Sequence, residues 1–253
     1  MLKNTLLFAF LLCLTLNLTQ AQNQAYSIHV DYVKPYKAAE YEKISKEFIA
    51  ACKEYNAPTS WITSTVSDFR YMYITPIDKM ADLDERPFAN MAKQMGDDFG
   101  KMFDQFDECY DKHNDYVVIM DKNLTYMPEG ISQTQEGQNY RKFYYLYVTP
   151  ENRGKLKEGM KGIKDMFASK ESKQYYRVYR SGFGNLENYY LVAISAKDEI
   201  DYATKSKAND ELLGEERHEV FAKAINYVSR MEEFSGAMRP DLAYSQKQKV
   251  TKK

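Results

Sequence analysis

The chain has 253 residues, with 35 Lys plus Arg against 36 Asp plus Glu and a formal charge of −1. That balance excludes the basic stripe by which a protein grips nucleic acid, so no nucleic-acid partner is expected. Hydrophobic residues make up 44%, enough for a sizeable core, and 22 tyrosines are far more than a core needs, because a buried phenol must find a hydrogen-bond partner.

Residues 1–21 have the three parts of a secretory leader: Lys3 as the basic start, Leu6 to Leu16 as the apolar run, and Ala21 as the last residue removed. The run is shorter than the roughly 20 residues of a membrane span. No later segment is apolar enough to span, so the product is expected to be soluble, in the periplasm or secreted. Cys13 lies inside the apolar run and not after a cleavage site, which argues against a lipoprotein. Asn123-Leu124-Thr125 matches a glycosylation sequon, meaningful only in a host that glycosylates.

Residues 22–124 read as one unit. Tyr26 to Lys34 is a strand, and Pro35 opens a helix, where its missing N–H costs nothing. Tyr41, Ile44, Phe48, Cys52 and Tyr55 recur at three and four and mark one helix face. Ser60 to Val66 and Phe69 to Thr75 are strands joined by a tight Ser67-Asp68 turn, followed by a short acidic helix from Asp78 to Asp84. A stripe through Phe88, Met91, Met95, Phe99, Met102, Phe106 and Tyr110 predicts one long helix, and Tyr116 to Met120 is the closing strand.

Residues 125–139, rich in Gln, Gly and Ser, read as a linker. A second unit covers 140–240. Phe143 to Val148 is a strand, and Leu156, Met160, Ile163 and Phe167 stripe a helix. Lys173 to Arg180 and Asn188 to Ile194 form a hairpin across Gly182-Phe183-Gly184, an acidic short helix runs from Asp198 to Tyr202, and Val220, Phe221, Ala224 and Ile225 mark the last helix. Residues 241–253 read as a flexible basic tail.

The second unit repeats the first. Ile28 to Lys34 before Pro35 matches Phe143 to Thr149 before Pro150, and Tyr71 to Ile74 matches Tyr190 to Ala193. Tyr116-Val117, Met120 and Met127 match Tyr227-Val228, Met231 and Met238 at one offset of 111 (116 to 227). Each unit is β-α-β-β-α-β, the split ferredoxin-like motif, an antiparallel sheet with both helices on one face. Bulky residues on both sides of the central strands (Tyr71, Tyr73, Tyr145, Tyr147, Tyr189, Tyr190) indicate that the other face is also buried. The fold class is therefore α+β, two ferredoxin-like repeats packed sheet to sheet within one chain as a pseudo-dimeric α/β barrel.

Over most of residues 26–235 this topology resembles the dimeric α/β-barrel superfamily, which includes antibiotic-biosynthesis-type monooxygenases, haem-degrading monooxygenases, chlorite dismutase-like proteins and NIPSNAP proteins. The resemblance carries no signature motif. It implies a cavity between sheet and helices or inside the barrel, and no one reaction. Internal pairing of the repeats leaves the oligomeric state open.

After leader removal only Cys52 and Cys109 remain. They sit near the ends of antiparallel helices, more than 30 Å apart for helices of over twenty residues, so two free, buried thiols are expected. His29 and Asp31 alternate with Ile28 and Val30; if the apolar side faces the helices, both point into the barrel, as a ligand-binding or proton-sharing pair or as a hydrogen-bonded pair stabilising a polar interior. His113 reads as a surface residue at a helix end. Haem-degrading relatives use a helical His as iron ligand, which makes His218 the haem-ligand candidate, although its charged neighbours fit a plain surface helix.

No metal-ligand cluster and no nucleophile signature is present, and Met91, Met95 and Met102 fall on the core stripe. Trp61, Tyr71, Tyr73, Tyr145, Tyr147, Tyr175 and Tyr179, with Arg70, Arg177 and Arg180, all come from strands. They can line a pocket for a planar or anionic small molecule, or form an aromatic sheet interface with Arg at its rim. Three functions remain: a non-catalytic ligand-binding or interaction protein, which is the leading reading, a cofactor-free monooxygenase-like enzyme acting on an aromatic substrate, or a haem-binding protein. No cofactor is predicted on the first two.

Overall fold

The computed structural model describes residues 23–246, so the leader at 1–21 and the end of the basic tail lie outside the described residues. Nine strands, β1 (Gln24–Val33), β2 (Ser60–Val66), β3 (Arg70–Ile77), β4 (Tyr110–Met120), β5 (Tyr140–Tyr147), β6 (Tyr176–Ser181), β7 (Tyr189–Ala196), β8 (Arg230–Met238) and β9 (Tyr244–Ser245), accompany six α-helices. The helices are α1 (Ala38–Glu54), α2 (Ala89–Met95), α3 (Asp97–Asp107), α4 (Arg153–Ser169), α5 (Glu199–Leu213) and α6 (Glu216–Ile225). None is long and apolar enough to cross a membrane among the described residues.

All strand pairings are antiparallel. The order β3-β1-β4-β6-β7-β5-β8-β2 closes on itself because β2 also pairs with β3. Within the first half the order is β4-β1-β3-β2, and within the second it is β8-β5-β7-β6, the same arrangement. The two sheets join through their edges, β4 to β6 and β8 to β2, so the sheet-to-sheet packing takes the form of one eight-stranded barrel with its edges paired. Tyr26, Ile28, Val30, Val118, Phe143, Tyr145 and Leu191 fill the interior. Outside, α1 to α3 cover the first sheet through Tyr41, Ile44, Cys52, Met91 and Phe106, and α4 to α6 cover the second through Leu156, Met160, Phe167, Leu213 and Ala224.

The registers fix which positions correspond. Ile28 lies opposite Ile74 and Tyr116, and Phe143 lies opposite Ala193 and Phe234. β4 therefore matches β8 at an offset of 118 (116 to 234), not 111. The matching Tyr-Val pairs are a coincidence: β8 carries Arg230, Glu232, Glu233 and Ser235, so an apolar comparison slides onto the residues before it.

Three further expectations are corrected. The long helix from Phe88 to Tyr110 is broken at Gly96, whose φ of 58° cannot continue a right-handed helix. The short acidic helix at 198–202 is the first part of α5, where Asp198 caps the end by accepting the Asp201 N–H at 2.8 Å. Residues 241–246, the first part of the basic tail expected at 241–253, pack against the barrel. Pro240–Leu242 forms a 3-10 turn, Leu242 is fully buried, and Tyr244 pairs with Trp61 of β2. The Tyr244 hydroxyl donates to the Cys52 and Ala57 carbonyls (2.9 and 3.0 Å), where α1 ends. The first half does the same to the second, since Leu124 is buried, Tyr126 bridges to Tyr176 of β6, and the Tyr126 hydroxyl donates to the Ser172 carbonyl (3.0 Å) after α4. Each half thus ends in a strap across its neighbour. Cys52 and Cys109 are free and buried, as expected.

Candidate ligand site in the barrel mouth

Strand alternation divides the candidate residues between two faces. Along β1 the interior positions are Tyr26, Ile28, Val30 and Tyr32, so His29 and Asp31 face the helix layer, the reverse of the expectation. The apolar side of β1 is wanted by the barrel interior, while α1 offers Asp31 a hydroxyl partner. Trp61, Tyr71 and Tyr73 lie on that same outer side and pack with α1. Tyr145 and Tyr147 are inside the barrel, and so is Arg177 near one of its mouths. The sequence-predicted set is therefore two groups, not one pocket.

The outer group is a polar network. Buried Asp31 accepts from the Tyr41 hydroxyl (2.5 Å), which contacts the Tyr73 hydroxyl (2.9 Å), and Ser45 Oγ contacts Tyr73 at 3.3 Å. Burial raises the pKa of both phenols, that of Tyr73 to about 12, so they remain neutral donors. His29 Nδ1 lies 2.8 Å from Asp115, and its Nε2 lies 3.1 Å from Asp31 Oδ1, an ion-pair distance without hydrogen-bond alignment. Burial pulls the His29 pKa down, but the two carboxylates outweigh it and hold it near 10. The imidazole is thus a cation at neutral pH and has no proton-accepting nitrogen to offer a substrate. His113 lies on β4 opposite Asp31, not at a helix end, with its ring 5.5 Å from that of His29.

The interior group has two ends. At one, Arg70 pairs with Asp68 (2.8 Å) and stacks over Phe234 (4.4 Å), while Arg230 lies 3.7 Å from the Tyr147 ring. At the other, Arg141 of β5 and Arg177 of β6 sit 3% and 2% exposed. Arg141 Nη1 donates to the Gln138 and Tyr140 carbonyls (2.6 and 2.9 Å), and Nη2 donates to the Gln133 carbonyl (3.0 Å). Arg177 Nε donates to the Ser132 carbonyl and Nη1 to Ser195 Oγ (2.8 Å), while Nη2 has no partner. Among the described residues no carboxylate pairs with either guanidinium.

Gln133 crosses the mouth. Its side-chain Nε2 donates to the Tyr26 hydroxyl (2.9 Å), and the Tyr179 hydroxyl donates to its side-chain Oε1. Behind these groups lies a cavity of about 60 Å³ walled by Ile28, Ile62, Met72, Phe143, Leu191 and Met238. At about 10–15 Å³ per water by this measure, it has room for roughly four to six waters. Burial lowers the Arg141 pKa to about 10, helped by the Arg177 charge, and burial lowers that of Arg177 as well.

Arg141, Tyr26 and Gln133 were not among the sequence candidates. A signal for Arg141 exists, since it alternates with Phe143 and Tyr145 on a face that is otherwise apolar. Gln133 has none, because it reaches the mouth from a segment without regular structure. The residues do not fit a haem. His218 on α6 is 65% exposed beside Glu215 and does not line the barrel cavity, which is far smaller than the few hundred Å³ of a cofactor pocket.

No protein-family model and no curated relative matches the sequence. Solved structures do match in fold. An anthrone oxidase-like protein superposes with a TM-score of 0.55 at 12% identity, over 86% of this chain and 92% of that one. A monooxygenase candidate from Lactobacillus acidophilus NCFM gives 0.51 at 10% identity, over 89% and 97%. The R173K mutant of chlorite dismutase from Candidatus Nitrospira defluvii gives 0.50 at 10% identity, over 87% and 93%. The chain has a fold related to that of these proteins, and the likeness is one of fold alone.

Proposed function

We propose that the chain is exported and acts as a non-catalytic binding protein, made from two copies of one β-α-β-β-α-β unit, with its ligand in the barrel mouth between Arg141 and Arg177. One observation carries the binding reading: two almost fully buried guanidiniums share a cavity without a carboxylate partner, and one of them has an unengaged nitrogen. Isolated buried charge is strongly unfavourable, so such a site is suited to a group that arrives from outside. The leader pattern supports export, and the shared strand order and reciprocal straps support duplication.

The monooxygenase-like alternative needs a group that takes a proton from an aromatic substrate. His29 faces the helix layer, outside the barrel mouth, and is held cationic by two carboxylates, which favours binding over catalysis. Native mass spectrometry of protein from its own host tests the proposal. Mature chain starting at Gln22 and carrying a retained small molecule is expected, with the added mass lost in Arg177→Met. A chain that carries no added mass, in wild type and Arg177→Met alike, would reject the binding site.

A further inference from the structure

We infer that the ligand of the barrel mouth is a small monocarboxylate with a short apolar body, and that it enters by displacing the segment 132–138 from Arg141 and Arg177. The inference rests on the binding reading above and gives it a ligand class and a route.

The two guanidiniums carry ten N–H donors, of which the described bonds engage five, every one to a neutral oxygen. The charge they bring is therefore hydrogen-bonded in part and neutralised by no carboxylate among the described residues. The neighbouring phenols do not supply the missing charge, because burial raises the pKa of Tyr26 and takes that of Tyr179 to about 12. The fold does not require arginine here either. By register, the positions matching Arg141 and Arg177 in the first half hold Tyr26 and Ile62, both facing the same interior.

Shape and polarity choose the anion. A guanidinium is a planar fork that matches the two oxygens of a carboxylate. The floor behind it is apolar, with Phe143, Leu191, Ile62 and Met72, and offers nothing to the further oxygens of a phosphate or sulfate. The cavity's size limits the body to a few carbons. Four of the five acceptors now on the guanidiniums are backbone carbonyls, three of them from Ser132, Gln133 and Gln138. A carboxylate reaching the same N–H groups competes with these neutral oxygens and wins on charge. Gly130 just before the segment and Gly137 within it, with φ of 114° and 71°, give its backbone freedom to swing.

Calorimetric titration and thermal melting of the full mature chain, with butyrate, its neutral isostere butyramide, and inorganic phosphate, test the inference. Butyrate is expected to bind and raise the melting temperature, while butyramide and phosphate do neither. Arg177→Met and Arg141→Met are each expected to weaken butyrate binding by at least about tenfold, while melting at or above the wild-type temperature without ligand, because a buried unpaired charge has been removed. Equal binding of butyramide, or binding of phosphate in place of butyrate, overturns the ligand class and leaves a binding site standing. Variants that unfold, with wild type that ignores every probe and carries nothing from its host, show guanidiniums serving only to hold the segment, and both readings fall.

Discussion

In the first half of the barrel, Asp31, Tyr41 and Tyr73 fill the layer between sheet and helices, and the interior positions Tyr26 and Ile62 carry no charge. The registers and helix positions give the second half Leu146, Leu156 and Val192 in that layer, and Arg141 and Arg177 inside. At these matched positions one strand order thus carries its polar groups on opposite faces. The helices follow suit. Gly159 of α4 lets α6 approach so closely that a Cβ would lie 2.6 Å from Ala224 Cα, whereas α1 carries Ile44 at the matching position. The difference teaches that paired edges and buried apolar positions specify this architecture, and that either face of a half can host polar groups if each finds a partner.

The comparison breaks most sharply at Tyr41. Tyr41→Leu installs the second half's residue alone and leaves the Asp31 carboxylate buried without its donor, so urea denaturation should show a loss of about 3–5 kcal/mol. The triple variant Asp31→Leu, Tyr41→Leu, Tyr73→Val should recover most of that loss; a triple no better than the single would mean the halves are not interchangeable. Next come the straps. Leu124→Ala and Leu242→Ala should each cost about 2–5 kcal/mol and should agree closely, since each removes a fully enclosed side chain at a corresponding site. Unequal losses would separate the halves energetically.

The seams differ more. At the β2–β8 seam, a Cβ on Gly236 would meet the Thr65 carbonyl oxygen at 2.2 Å and Phe143 at 2.9 Å, so Gly236→Ala should destabilise by about 2–3 kcal/mol. The β4–β6 seam has Val118 at the matching position, and Val118→Ala should lose only about 1–2 kcal/mol.

The smallest effect is titration of His29. Its folded pKa is raised from 6.5 to about 10, so its contribution is complete below pH 6.5 and is lost as pH rises towards 10. The ring is 40% exposed, and solvent screening reduces the effect to about 1 kcal/mol. His29→Gln should flatten the stability profile in that window. An unchanged slope would place the titrating group elsewhere.

The sequence made the β-α-β-β-α-β order of both halves legible because each amphipathic element writes its own period. Ile28 to Lys34 and Phe143 to Thr149 declare themselves locally. Which face of β1 looks inward was not legible, because alternation fixes two faces without naming them, and Tyr41 decides the matter from ten residues along the chain. The candidate site was half visible. Arg177 stood out on an aromatic strand, but Gln133 gains its place only through Tyr26 and Tyr179, partners that no spacing rule connects to it. The straps escaped for a similar reason: Leu242 and Tyr244 sit in a short, otherwise polar terminal stretch and become core residues only against α1 and β2.

The reciprocal straps also set a schedule for folding. During synthesis every strand and helix of the first half emerges before the second begins, yet the end of α1 and the outer side of Trp61 wait for Leu242 and Tyr244, which follow β8 in the chain. A nascent first half is therefore an unfinished object, with an apolar gap that the segment after β8 closes. Clipping the protein after Arg239 would damage the half that was made first.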